Sequence, residues 1–160
     1  MEPEVPDATT LWLFREKIKE EGLERELFEK FNDYLNESGY KPKEGQILDA
    51  TLIPVPKQRN NKEENKKLKE GKIPEEWEEE KNKNKLEQKD VEARWKKKNG
   101  IPHYGYKAHI SVDREHKIIR KYEITDASVH DSQVIGHLLD GKNEGDELWA
   151  DSAHFAEKIN

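Results

Sequence analysis

The chain has 160 residues, of which 40% are charged and 32% hydrophobic, with a formal net charge of -6, a mean hydropathy of -1.20 and no cysteine. Those figures allow one domain with a real core. They exclude a disulfide framework, a thiolate metal site and a general electrostatic pull on nucleic acid, leaving local basic patches for any phosphate contact.

The start MEPEVPD is acidic and lacks the apolar core of a signal peptide, and no apolar run approaches the ~20 residues that span a bilayer. A cytoplasmic protein with no membrane partner is expected. Next, Asp7, Thr9 and Thr10 offer caps before Leu11, Phe14 and Ile18, which recur at helical spacing to about Glu21. Gly22 interrupts, and Leu23, Leu27, Phe28, Phe31 and Leu35 form a second stripe that stops at Ser38 and Gly39. Two amphipathic helices follow, best read as a packing unit.

QILDATLIPVP, residues 46–56, has the composition of a buried strand ended by Pro54 and Pro56, with Asp49 near its middle. An ionised carboxylate buried there without a partner would cost several kcal/mol, so the pattern calls for a compensating charge. From Lys57 to Asn99 the chain is rich in Lys, Glu and Asn, with spaced apolar residues such as Leu68, Trp77, Leu86 and Trp95. Helical pieces broken around Gly71–Pro74 are expected, because Pro74 precedes an acidic first turn. The end of this block, ARWKKKNG, reads as an exposed helix end or, given Arg94, Lys96, Lys97 and Lys98 beside Trp95, Tyr104 and Tyr106, as a surface for DNA backbone and stacking contacts.

HYGYKAHISVD and HKIIRKYEITDA alternate with period two and predict a hairpin whose strands have unlike faces. Lys107 on the first strand is either solvated or near a phosphate. His103 and His109 share a face but lie ~20 Å apart, too far to share a zinc ion. His130 and Asp131 cap a turn or organise a site, and SVHDSQVIGHLLDG predicts a helix from about Asp131 to Asp140. DELWAD is a short strand, and SAHFAEKIN starts another helix. If the last strand lies parallel beside the first, the helix between supplies the crossover, and Asp49 comes close to Asp151. Two such carboxylates repel unless a cation sits between them, and hard oxygen ligands suit Mg²⁺ or Mn²⁺. An N-cap is the ordinary alternative for Asp151.

PDATTLWLFRE, ILDATLIPVP, YGYKAHISVD, ITDASVHDS and LWADSAH, in that order, resemble the insertion-sequence-five family of bacterial DDE transposases. The resemblance implies an α/β chain (α+β, mixed sheet): a partial ribonuclease H-like fold over residues 41–160, with a helical segment over 1–40 and a charged insert at about 57–99. It implies two Mg²⁺ (or Mn²⁺) ions held by two aspartates and a distant glutamate, which drive DNA strand cleavage and transfer at mobile-element ends. Carried over by motif, the aspartates are Asp49 in DAT and Asp151 in ADSAH. Independently of the resemblance, Arg94, Lys96, Lys97, Lys98, Lys107 and His130 are candidates for DNA contact. His154 stands where the family commonly has tyrosine. Glu157 follows Asp151 too closely to serve as the third carboxylate, so a transposase fragment truncated at both ends, catalytically incomplete alone, is expected. Its partners would be DNA and either further copies or a complementing transposase polypeptide. The alternative is a non-catalytic DNA-binding or oligomerising remnant that modulates a full-length relative.

Overall fold

The computed structural model describes residues 5–151. Contacts divide the chain into two units, Met1–Pro42 and Lys43–Asn160. The first is a helix pair, α1 (Ala8–Glu20) and α2 (Glu24–Glu37). Asp7 caps α1 by accepting from the Thr10 amide at 2.7 Å, and Glu26 and Lys30 pair across one turn of α2 at 2.6 Å. Neither helix has a buried residue, and Leu11, Trp12, Leu13 and Phe14 are each more than half exposed. The stripes read from the sequence are present, but within the unit they do not form a core.

The second unit is built on a five-stranded mixed sheet with helices. Strand β1 (Gln46–Pro54) runs antiparallel to the long β3 (Ile101–Asp113), which also pairs with β2 (Arg94–Lys98) and β4 (Ile119–Asp126). The short β5 (Leu148–Ala150) lies parallel to β1. This is the mixed α/β architecture expected of a partial ribonuclease H-like fold, including the parallel pairing of first and last strands.

The helical insert is ordered around Trp77. Helices α3 (Lys62–Lys69), α4 (Glu75–Glu78) and α5 (Lys83–Glu87) break between Lys69 and Glu75, as the glycine and proline there predict. Asn61 and Glu64 form a reciprocal capping box at the start of α3, with bonds of 2.8 and 2.7 Å. Glu64 then accepts from the indole of fully buried Trp77 at 2.9 Å, while Lys85 and Lys89 sit 5.3 and 5.1 Å from its ring. Burial works to raise the Glu64 pKa, but bonds from Asn61, Trp77 and Lys85 outweigh it and hold the carboxyl below its usual range.

Three expectations need correction, and one is sharpened. Residues 94–98 form strand β2, not a helix end: Asn99 and Gly100 both have positive φ, 51° and 81°, and make the two-residue loop that returns the chain as β3. The predicted helix over 131–140 is only a 3-10 turn (Asp131–Gln133) and the four-residue α6 (Ile135–Leu138), because Leu139 already has extended backbone. Asp49 is exposed; among the residues of β1 only Leu48 is buried, so its carboxylate carries no burial penalty to offset. The alternation along β3 holds, and the polar set is the buried one: Lys107, His109, Ser111 and Asp113 are at most 6% exposed. The helix expected from SAHFAEKIN, with His154 and Glu157, lies outside the described residues.

That inversion follows from where the chain crosses over. The segment from β4 to β5 covers the Leu48 side, with Val134 and Leu138 packing on Leu48 and with Val129, Ile135, Leu148 and Ala150 around them. Register opposes Leu48 to Ser111 and Ala50 to His109, so the polar residues of β3 share the covered face. Tyr106, Ala108, Ile110 and Val112 occupy the other face and are only half-buried.

Candidate functional site

The pairing of β5 on β1 is fixed by a clamp just before both strands. Asn143 accepts from the Gly45 amide at 3.0 Å and donates to the Gly45 carbonyl at 2.8 Å. Gln46 bonds both backbone groups of Asp140, at 3.2 and 2.8 Å, and accepts from Ser111 at 3.1 Å. Gly45, with φ +86°, lets the chains come this close, since a Cβ there would collide with the Glu147 carbonyl oxygen. The resulting register pairs Gln46 with Leu148 and Leu48 with Ala150. One step further stand Asp49 and Asp151.

Both aspartates line one cavity of about 190 Å³. Lys96, Lys97 and Lys98 of β2, Lys107 of β3 and His130 line it too, so the fold gathers every candidate except Arg94. Arg94 turns away: its guanidinium donates to the carbonyls of Leu68, Val91 and Ala93 at 2.5–3.0 Å, and it lines a separate cavity with Glu92, Tyr106 and Asp126. It ties the insert to the sheet. Nearby, Tyr106 donates to Asp90 at 2.7 Å, and its pKa is pushed well above the usual tyrosine value by burial first and then by that acidic partner.

The members of the cavity differ in how far they are already committed. Asp49 Oδ1 accepts from the Ala50 amide at 2.7 Å, which orients the carboxylate and leaves its other oxygen for a ligand. His130 caps the 3-10 turn, its Nδ1 lying 2.9 Å from the Ser132 hydroxyl and 3.3 Å from the Ser132 amide. Lys107 is buried, and its ammonium donates to the Val129 carbonyl and to Asp131 Oδ1, both at 2.6 Å. The solvated lysine that the strand pattern allowed is therefore an internal ion pair. Lys97 and Lys98 are exposed and Lys96 is half-exposed, which leaves these three as the cavity's accessible cations.

Two hard carboxylates, Asp49 on β1 and Asp151 just past the end of parallel β5, fit a divalent cation such as Mg²⁺, which keeps several of its waters and takes few protein ligands. Among the described residues no group of three or more His, Cys, Asp or Glu side chains is placed to hold an ion, so the fit rests on this pair.

Sequence reasoning missed Asp113, whose fully buried carboxylate accepts from the His116 and Ile118 amides at 2.7 and 3.1 Å and pairs with Arg120 at 3.3 Å, closing the β3–β4 turn. It also missed β2, although Asn99–Gly100 is a hairpin signal in plain view. Nothing local in the sequence marks the Asn143 clamp.

A family model described as transposase DDE domain matches residues 40–160. No solved structure matches the chain.

Proposed function

The chain belongs to the transposase DDE domain family, and from that premise we propose that Asp49 and Asp151 are two of the carboxylates through which it acts on DNA phosphodiesters. DDE transposase domains in general use divalent metal ions. Bound between these carboxylates, such an ion would polarise a phosphodiester oxygen and supply an activated water or hydroxyl. The chain's own residues do the rest. The Asn143 and Gln46 clamp holds the two carboxylates in register. Lys96, Lys97 and Lys98 draw the DNA backbone to the cavity mouth, and the hairpin loop at Asn99 and Gly100 carries them there. The observation that carries this reading is that both motif aspartates line a single cavity with those lysines. We place the chain with the bacterial insertion-sequence-five group on its five colinear motifs, with mobile-element ends as the DNA, further copies as partners and the cytoplasm as its compartment.

A second reading, a non-catalytic DNA-binding or oligomerising partner of a larger transposase, draws on the lack of a three-ligand group among the described residues. Binding of a labelled DNA duplex with and without Mn²⁺ separates the two. The metal reading expects tighter binding with Mn²⁺, lost in Asp49→Asn, and about tenfold or greater weakening in a Lys96/Lys97/Lys98→Gln variant with a shallower salt dependence. Binding indifferent to both Mn²⁺ and Asp49 would favour the second.

A further inference from the structure

Lys107 is the least expected side chain in the cavity wall. It lies mid-strand on β3, 6% exposed, where an ammonium group is costly unless paired. Its partner Asp131 is itself only 15% exposed at the side chain and also has His109 Nδ1 3.8 Å away. His109 in turn contacts the Thr125 hydroxyl at 2.9 Å, so two side chains of β3 converge on the Asp131 carboxylate and β4 backs one of them. Replacing a buried ion pair with apolar groups of similar volume is commonly neutral or stabilising. Fold stability alone therefore gives little reason for the pair, whereas its place does: both members line the cavity that holds Asp49 and Asp151.

The geometry points to Lys107 and Asp131 as a positioning pair that sets the charge of the metal cavity. Lys107 neutralises a third carboxylate, so the cavity offers a cation the charge of Asp49 and Asp151 without the excess of Asp131. The same ammonium, through the Val129 carbonyl, holds the turn bearing His130 against the cavity wall. This inference rests on the metal reading above.

The test is Mn²⁺ titration of the full chain in wild type, Asp49→Asn, Lys107→Met, Asp131→Asn and the Lys107→Met/Asp131→Asn double variant, each checked for a cooperative melt. Removing Lys107 leaves Asp131 unmasked and should tighten Mn²⁺ binding by about tenfold or more; removing the Asp131 charge leaves the ammonium unmasked and should weaken it by about tenfold or more, because at an effective dielectric near 20 one unit charge shifts the binding of a divalent ion in the same cavity by at least that factor. The double variant strands no buried charge, is expected to fold, and should bind within about threefold of wild type. A purely structural pair would move both single variants the same way. Shifts in the same direction, no shift, or a double variant far from wild type would overturn the inference while Asp49→Asn still abolishes binding. Unchanged binding in Asp49→Asn would instead remove the metal reading, and this inference with it.

Discussion

The two faces of β3 differ in a way that composition alone would misread. Lys107, His109, Ser111 and Asp113 point under the crossover segment and are buried, while Tyr106, Ala108, Ile110 and Val112 on the opposite face stay half-buried beside exposed Ile53 and Ile124. Burial here is decided by which side the β4-to-β5 crossover covers, and hydropathy follows only where Leu48, Val134 and Leu138 meet. The polar face survives burial because its groups are partnered: Lys107 with Asp131, His109 with Thr125, Ser111 with Gln46 and Asp113 with Arg120. A sheet face can thus carry charge inward when the cover supplies the complementary groups.

The sharpest way to break this comparison is Asp113→Ala. It removes the acceptor shared by buried Arg120 and two backbone amides, and should cost about 3–5 kcal/mol in urea unfolding; a loss under about 1 kcal/mol would show that the covered face is not held by its polar pairs. Asn143→Ala tests the cover itself. It removes two bonds between the loop before β5 and Gly45 at the start of β1, and a third within that loop, and should cost about 1–3 kcal/mol. Hydrogen exchange should speed up at the β1–β5 ladder while the β3–β4 ladder stays protected; uniform exchange would deny that the clamp sets the parallel register. Ile124→Thr, on the open face at 48% exposure, should change stability by only about 0.5 kcal/mol. A larger loss would mean that another surface covers that face in solution.

Much of the sheet was legible because its strands carry period-two alternation, and the crossover rule alone put Asp49 beside Asp151. Three things escaped for physical reasons. Strand β2 is disguised by Lys96, Lys97 and Lys98, whose charge suggests a solvated helix although Asn99–Gly100 specifies a turn. Helix α6 is short because the extended Leu139 ends it early, in a segment whose apolar spacing reads as a longer helix. The role of Lys107 depends on Asp131, supplied from beyond β4, which no window of neighbouring residues reveals, and that of Asp113 on a turn whose closure brings the His116 and Ile118 amides and Arg120 back onto its carboxylate.

The shared-ion proposal is tested most directly by a double-mutant cycle on Mn²⁺ affinity in the full chain, using Asp49→Asn, Asp151→Asn and the two together. If both carboxylates hold one ion, each single variant should weaken binding by more than about tenfold, and the double should be little worse than the weaker single. Wild-type affinity in either single variant, or penalties that simply add, would contradict it.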